Sequence, residues 1–166
     1  MKNLYIVRHA KSSWDFPELS DFDRPLNQRG EKAAPEMGRR FKERGIRPGL
    51  ILSSPAKRAI TTARIIAAAT GYPLTAIKQD ADLYMASAQE TLQIVQQVAD
   101  KHDSLMIFGH NPGFTNFAAM ITGREFDNVP TAGVVAADLK IDHWADAAWY
   151  AGQLTFFDFP RRPFLT

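Results

Sequence analysis

The feature that most constrains the fold is a unit of strand, polar loop and helix that recurs along the chain. A short apolar run over residues 3–9 is followed by turn-forming residues, and apolar side chains then recur at helical spacing from Gln28 to about Arg44. Similar apolar runs at residues 50–52 and 104–108 begin further units. Units of this kind favour a mostly parallel sheet with helices on both faces. We therefore predict an α/β fold, a three-layer α/β/α sandwich.

Local signals predict where several of these elements begin. Ser54 followed by Pro55 indicates the N-cap and first turn of the second helix, and Asn111 followed by Pro112 indicates the same arrangement at the last helix. The pattern of apolar residues also predicts a possible edge strand and two later strands. These lie over residues 74–77, 133–140 and 149–159.

The length and composition are those of one domain. The chain has 166 residues, 45% hydrophobic and 23% charged, so it can bury a substantial core. We find no internal boundary and predict a single domain over residues 1–166, with an exposed end at residues 160–166. No apolar stretch approaches the roughly 18 residues of a spanning helix, and no signal-peptide region precedes the first strand, so we expect a cytoplasmic protein without membrane contacts.

Charge and cysteine content exclude several classes of function. The net charge is only +2, which does not predict a nucleic-acid partner. The chain has no cysteine, and this excludes disulfides, thiolate metal sites and cysteine nucleophiles. Any covalent catalyst must therefore be another residue type.

Polar side chains follow the three predicted parallel strands, at the edge where ligands bind in open sheets. The first strand ends in Arg8 and His9, the second is followed by Ser54 and Arg58, and the third by His110. The adjoining helices would direct free N–H groups to the same edge. Arginine matches tetrahedral oxyanions, and a neutral imidazole is a nucleophile near neutral pH. This set predicts phosphoryl transfer through histidine.

Besides the two arginines and two histidines, the weaker candidates for binding phosphate or substrate are Lys11, Arg24, Ser54 and Asn111. For Lys11 and Arg24, a solvated surface charge is the simpler interpretation. The segment Asp21–Asp23 is predicted to be a turn, because no apolar strand precedes it. No spacing of potential ligands predicts a metal site, and no glycine motif predicts a nucleotide cofactor.

Four segments of the chain form a set of motifs that follow one another in a fixed order. Each lies at a predicted strand end or helix start. They are Val7–Trp14, Asp21–Gly30, Ser53–Arg58 and Gly109–Pro112, the first of them overlapping the run Leu4–Ala10. Together they resemble the histidine phosphatase superfamily, and more narrowly its compact SixA-type phosphohistidine phosphatases. The resemblance implies a phosphoglycerate mutase-like fold and a phosphatase that uses no metal or other cofactor.

The resemblance also implies a role for each matching residue. His9 would attack phosphorus and become phosphorylated, while Arg8, Arg58 and His110 hold the transferring oxygens. Water would then hydrolyse the intermediate. Fixed positive charge and hydrogen-bond donors can stabilise the oxygens in both steps.

The chain departs from the larger relatives in its proton donor to the leaving group. Many of those relatives place a Glu with this role after the second helix. The corresponding segment 79–86 offers only Asp80 or Asp82, and either could equally be a solvated turn residue. Asp82 is the candidate acid. A phosphoramidate has a labile bond and an imidazole leaving group that can depart protonated, so a dedicated acid matters less for phosphohistidine.

Chain length bears on the substrate, because 166 residues leave little beyond the sheet and helices for a closing lid. An open site admits a phosphorylated side chain of another protein, whereas a site specific for a small metabolite usually surrounds more of the ligand. We therefore favour phosphohistidine on a protein, such as a histidine-containing phosphotransfer domain. The alternatives are a phosphomonoesterase for a small phosphorylated metabolite and a non-catalytic module that recognises phosphate.

Overall fold

Six strands form one sheet that lies between two pairs of helices in the computed structural model, which describes residues 1–164. The strands are β1 (Lys2–Arg8), β2 (Leu50–Ser53), β3 (Lys78–Gln79), β4 (Ser104–Gly109), β5 (Val134–Leu139) and β6 (Gly152–Asp158). The helices are α1 (Gln28–Glu43), α2 (Lys57–Thr70), α3 (Ala88–Gln96) and α4 (Gly113–Thr122). The last two residues of the predicted exposed end lie outside the described residues.

The strand order is β3-β2-β4-β1-β5-β6. β4 pairs in parallel with β1 and β2, and β2 pairs in parallel with β3, whereas β5 runs antiparallel to both β1 and β6. In the parallel register Arg8 lies opposite Gly109, and Ser53 lies opposite Phe108. The carboxyl ends of β1, β2 and β4 therefore meet at one edge of the sheet, as the sequence predicts.

Two apolar layers hold the helices on opposite faces of the sheet. Successive residues of β4 alternate between them: Ile107 packs in the layer of α3 and α4, and Phe108 in the layer of α1 and α2. Both faces of the strand are covered, which explains why its sequence is a continuous apolar run. The predicted α/β/α sandwich with a mostly parallel sheet is confirmed. Within residues 1–164, no helix combines the length and the apolar character needed to cross a membrane.

Two predicted helix starts and one predicted strand are wrong. α2 begins at Lys57 with Ala56 as its N-cap, while the hydroxyl of Ser54 hydrogen-bonds His110 and accepts the backbone N–H of Ala56. α4 begins at Gly113 with Pro112 as its N-cap, although the Asn111 side chain still accepts the backbone N–H of Thr115. The edge strand predicted over 74–77 is a turn of 3₁₀ helix with an exposed leucine, and pairing with β2 begins only at β3.

Gly113 makes a close contact that only glycine permits. A Cβ atom at this position would lie 1.8 Å from the carbonyl oxygen of Ala86, which is backbone and cannot move aside cheaply. We expect Gly113→Ala to lower the free energy of unfolding by about 3 kcal/mol in urea titrations, because such overpacking forces backbone shifts.

Gly45→Ala is the control for this change. A Cβ atom on Gly45 would meet nothing within 4 Å, but the residue has a φ of +71°. Its replacement should cost only about 1 kcal/mol of backbone strain. Equal losses in the two variants would contradict the clash at Gly113.

Candidate active site

The carboxyl ends of the parallel strands bring two histidines and two arginines together. His9 and His110 are 7% and 2% exposed, and their ring centroids lie 5.1 Å apart. Arg58, on the first turn of α2, is 4% exposed, and Arg8 is half-buried. Burial and the neighbouring charge of Arg58 both lower the pKa of Arg8. The predicted convergence of these four side chains is therefore present in the structure.

His9 is held with one defined ring nitrogen free. Its Nδ1 lies 2.7 Å from the carbonyl oxygen of Ala10, which can only accept a hydrogen bond, so Nδ1 carries the proton and Nε2 the lone pair. The loop is fixed in turn, because the backbone N–H of Ala10 donates to Thr62 Oγ1 at 3.0 Å. Burial lowers the pKa of His9 to about 3, and His110 and the arginines add to this. His9 is therefore neutral near pH 7, as a nucleophile must be.

His110 is positioned by Ser54. Its Nε2 lies 2.8 Å from Ser54 Oγ, which also accepts the backbone N–H of Ala56. When the serine hydroxyl donates to Nε2, the proton of the neutral ring is on Nδ1. Burial first, and then the charge of Arg58, lower the pKa of His110 to about 4.

Two buried polar atoms of this site are unpaired. Over residues 1–164, the buried side-chain nitrogen and oxygen atoms without a hydrogen-bond partner are Arg8 Nε and His110 Nδ1. The Nη1 of Arg8 is bound to the carbonyl oxygen of Val129 at 3.0 Å, so the side chain is anchored while its Nε is not satisfied. Unpaired buried donors are costly, and an oxyanion ligand would satisfy both of these.

Asp21 is a member of the site that the sequence did not reveal. Arg58 donates from Nη1 to its backbone oxygen at 2.6 Å and from Nη2 to its carboxylate at 3.0 Å. The carboxylate also accepts from Tyr84 at 2.6 Å and from Arg24 at 3.0 Å. The Tyr84 hydroxyl, followed by Arg58, lowers the pKa of Asp21 to about 2. Asp21 is thus an anion that fixes the position of Arg58 rather than a proton donor.

Tyr84 is the second residue that sequence reasoning missed. Its ring stands edge-on to His110, with centroids 5.4 Å apart, and also contacts Phe22. The segment Asp21–Asp23, predicted as a turn, is one turn of 3₁₀ helix and carries Asp21 to the site. The spacing of Asp21 and Arg24, which form an i,i+3 ion pair, was the available signal for Asp21. No local pattern points to Tyr84.

Arg24 and Lys11 have different surroundings. Arg24 is buried, so the interpretation of it as a solvated surface charge is wrong. Its Nε donates to the carbonyl oxygen of Ser13 at 2.9 Å, and its guanidinium lies 3.3 Å from the ring centroid of Trp14. Lys11 is exposed beside Arg8 at the rim of a groove. Arg24 thus stabilises the loop that presents Asp21, and its binding of substrate stays a prediction, as does that of Lys11.

Asn111 is likewise engaged within the protein. Its Nδ2 donates to Asn128 and Val129, and its Oδ1 accepts from the backbone and hydroxyl of Thr115. Binding of substrate by Asn111 stays a prediction. Asp82 is exposed within a 3₁₀ turn capped by Asp80, and over residues 1–164 its carboxylate forms no hydrogen bond to the site.

No group of three or more His, Asp or Glu side chains among residues 1–164 is arranged to hold a metal ion. Arg8 and Arg58 bring positive charge to the site. Guanidinium groups and imidazole donors can together bind a tetrahedral oxyanion.

The lowered pKa values predict that acid destabilises the fold. Unfolded histidines titrate near about 6.5, whereas the folded pKa values of His9 and His110 are about 3 and about 4. Below the unfolded value the unfolded chain binds more protons, so the free energy of unfolding falls as pH falls from about 7 to about 5. In urea titrations, His9→Asn should show a shallower fall than the wild type. Identical slopes would contradict the depressed pKa of His9.

Comparison with known proteins identifies the family and the fold of this chain. The sequence profile of the histidine phosphatase superfamily (branch 1) matches residues 4–105. An uncharacterised chloroplastic protein of Arabidopsis thaliana is 32% identical over 159 residues, which cover 91% of this chain and 72% of that protein.

Two solved structures share the fold over nearly the whole chain. The putative phosphohistidine phosphatase SixA from Agrobacterium tumefaciens is 28% identical with a TM-score of 0.79, covering 96% of this chain and 98% of that one. A protein histidine phosphatase SixA, solved in complex with tungstate, is 19% identical with a TM-score of 0.81, covering 95% and 97% of the two chains.

Proposed function

The chain belongs to the histidine phosphatase superfamily and is of the SixA type, and on this premise we propose that it is a metal-independent phosphatase acting through a phosphohistidine intermediate on His9. The observation that carries the proposal is the pair of unpaired buried atoms, Arg8 Nε and His110 Nδ1, in the same site as a neutral His9. An oxyanion placed there would satisfy both donors within reach of the nucleophile. We also propose that residues 1–166 form one domain of this family.

The first step is attack of His9 Nε2 on phosphorus. The new P–N bond forms as the bond to the leaving imidazole breaks. That imidazole leaves as a neutral ring because its other nitrogen already carries a proton, and the proton on His9 Nδ1 stays hydrogen-bonded to Ala10. That hydrogen bond stabilises the positive charge of the phosphorylated ring. Water then attacks the phosphorus and releases inorganic phosphate and neutral His9.

The cationic groups stabilise the transferring oxygens in both steps. Arg8 and His110 supply the donors that are unpaired in the free site, and Arg58 keeps further N–H groups beyond the two that bind Asp21. All three are held by protein contacts before substrate arrives, so little reorganisation is needed during the reaction.

Phosphohistidine on a protein is the substrate we propose. The segment beside Asp21 exposes several large apolar side chains, and Trp14 is 78% exposed. Apolar groups exposed at the rim of a site are typical of a surface that contacts another protein. Those of this segment are Trp14, Phe16, Leu19 and Phe22. A small phosphorylated metabolite, hydrolysed by the same mechanism, is the alternative.

Replacement of Asp82 tests whether the leaving group needs an acid from this residue. A general acid usually contributes about 10²–10⁴-fold to the rate. Asp82 is exposed and its carboxylate is not bonded to the site, so we expect Asp82→Asn to change kcat for phosphohistidine by less than about 3-fold. A steep fall in kcat for an aryl phosphate at unchanged KM would instead identify Asp82 as the acid.

The proposed function is tested with chelator-treated protein and three kinds of substrate: a phosphohistidine-bearing phosphotransfer domain, para-nitrophenyl phosphate and a panel of phosphometabolites. We expect fastest turnover of the phosphohistidine protein, lost in His9→Asn. Fastest turnover of a metabolite would keep the mechanism and replace the substrate. Binding of the phosphoprotein without any turnover would contradict the proposed enzymatic activity and favour a module that recognises phosphate.

A further inference from the structure

A surface groove of about 700 Å³ opens next to the site and shares Arg8 with it. One wall is the first half of α1, and the other is formed by the segments that precede β5 and follow β6. The groove therefore adjoins the place where the phosphoryl group would bind.

The groove is strongly cationic. Four exposed basic side chains line it in addition to Arg8, and none of them forms an ion pair within residues 1–164. They are Lys11, Arg29, Lys32 and Arg161. The one lining carboxylate, Glu36, is already bound by Arg39 at 2.9 Å and Arg40 at 2.7 Å. Like charges collected in a concave surface raise the local concentration of anions.

A segment that contributes no residue to the groove lining carries the opposite charge. The exposed segment 15–23 contains four carboxylates, and the carboxylate of Asp21 among them is held by Arg58. A substrate with an acidic side and a neutral or basic side would therefore bind in one orientation only. Electrostatic asymmetry of this kind fixes the register of a partner and suppresses the wrong ones.

The shape of the groove suits a polypeptide segment better than a single ion. Its floor includes the half-buried apolar residues Ala33, Pro130 and Phe159, and Asn128 and Thr131 add polar groups. A volume of about 700 Å³ is within the usual range for sites that hold a ligand of several groups. Carboxylates of a peptide can reach the lysines and arginines while its backbone crosses the apolar floor.

We propose that this groove binds an acidic segment of the protein substrate, adjacent to its phosphohistidine. The inference rests on the proposed function for the identity of the phosphorylated group. It adds a determinant of specificity that lies outside the four residues around the phosphoryl group. Substrates with carboxylates on the groove side should have a lower KM than neutral substrates, and added salt should weaken this preference.

The test uses peptides with one phosphohistidine flanked on one side by aspartates, serines or lysines. The wild type should show a kcat/KM about 10-fold higher for the aspartate peptide than for the serine peptide. Lys32→Glu/Arg161→Glu should abolish this preference and leave para-nitrophenyl phosphate turnover unchanged. The matched control is Lys101→Glu/Lys140→Glu, which changes the same charge on exposed residues at the opposite edge of the sheet. The control should keep the preference.

The outcomes separate this inference from the proposed function. Equal turnover of the aspartate and serine peptides by the wild type would overturn the proposed binding of an acidic segment in the groove. An equal loss of the aspartate preference in the groove and control variants would do the same. Both results would leave the proposed phosphatase function standing. If neither the peptides nor the phosphohistidine protein are hydrolysed, the proposed substrate is wrong. Fluorescence anisotropy with labelled peptides that carry a stable phosphohistidine analogue then tests binding in the groove. Tighter binding of the aspartate peptide, lost only in Lys32→Glu/Arg161→Glu, would support it; equal binding would overturn it.

Discussion

His9→Asn should lower kcat for phosphohistidine hydrolysis by about 10⁴-fold or more, because the nucleophile is removed while its surroundings stay in place. The asparagine amide can replace Nδ1–H as donor to the Ala10 carbonyl, but it has no atom in the position of Nε2. Steady-state kinetics with a phosphohistidine protein and with para-nitrophenyl phosphate measure the loss. Both substrates should be affected, since in the proposed mechanism both transfer phosphate to the same nitrogen.

His143→Asn is the matched control for this experiment. His143 is exposed and bonded to Asp100 at 2.9 Å, remote from the strand ends that form the site, and its replacement should leave kcat unchanged. Circular dichroism should show His9→Asn to be folded, so that lost activity reports chemistry. More than about a tenth of wild-type kcat remaining in folded His9→Asn would contradict the role of His9 as nucleophile.

Arg58→Lys should lower kcat/KM by about 10²–10³-fold, the usual effect of losing one positioned donor to a developing charge. Lysine keeps the positive charge but not the planar fork that binds the Asp21 oxygens and, in the proposed mechanism, a phosphoryl oxygen. The kinetic constants of the variant and wild type, determined with the same two substrates, check this. We expect most of the loss in kcat, because the contact strengthens as charge develops.

Arg64→Lys provides the comparison on the same helix. Arg64 is exposed on α2, and the same exchange there should leave kcat/KM within about 2-fold of the wild type. A similarly small change in Arg58→Lys would show that the bulk positive charge, and not the guanidinium geometry, serves the reaction.

The parts of the fold that follow from local pattern could be predicted from the sequence. β4 is buried on both faces, so its residues form an uninterrupted apolar run, and its parallel pairing with β1 places His110 beside Arg8 and His9. α1 spans Gln28–Glu43, close to the range Gln28 to Arg44 that the helical spacing predicts. The convergence of the four residues needed only the parallel sheet.

The parts that depend on distant contacts could not be predicted. Asp21 meets Arg58 across 37 positions and Tyr84 across 63, and no local spacing connects these residues. Ser54 has the local signature of an N-cap, but α2 begins only at Lys57, and the Ser54 hydroxyl also hydrogen-bonds His110, 56 positions away. At such positions, tertiary contacts override the local preference.

The most direct test of the account is to locate the phosphoryl group on the enzyme during turnover. Wild-type protein is mixed with excess phosphohistidine substrate, quenched rapidly in alkali and analysed by peptide mass spectrometry, with His9→Asn in parallel. We predict an acid-labile phosphoryl group on His9 that is absent from the variant and disappears once substrate is exhausted. Phosphorylation of a different residue, or full turnover with no phosphorylated enzyme in the wild type, would contradict the mechanism.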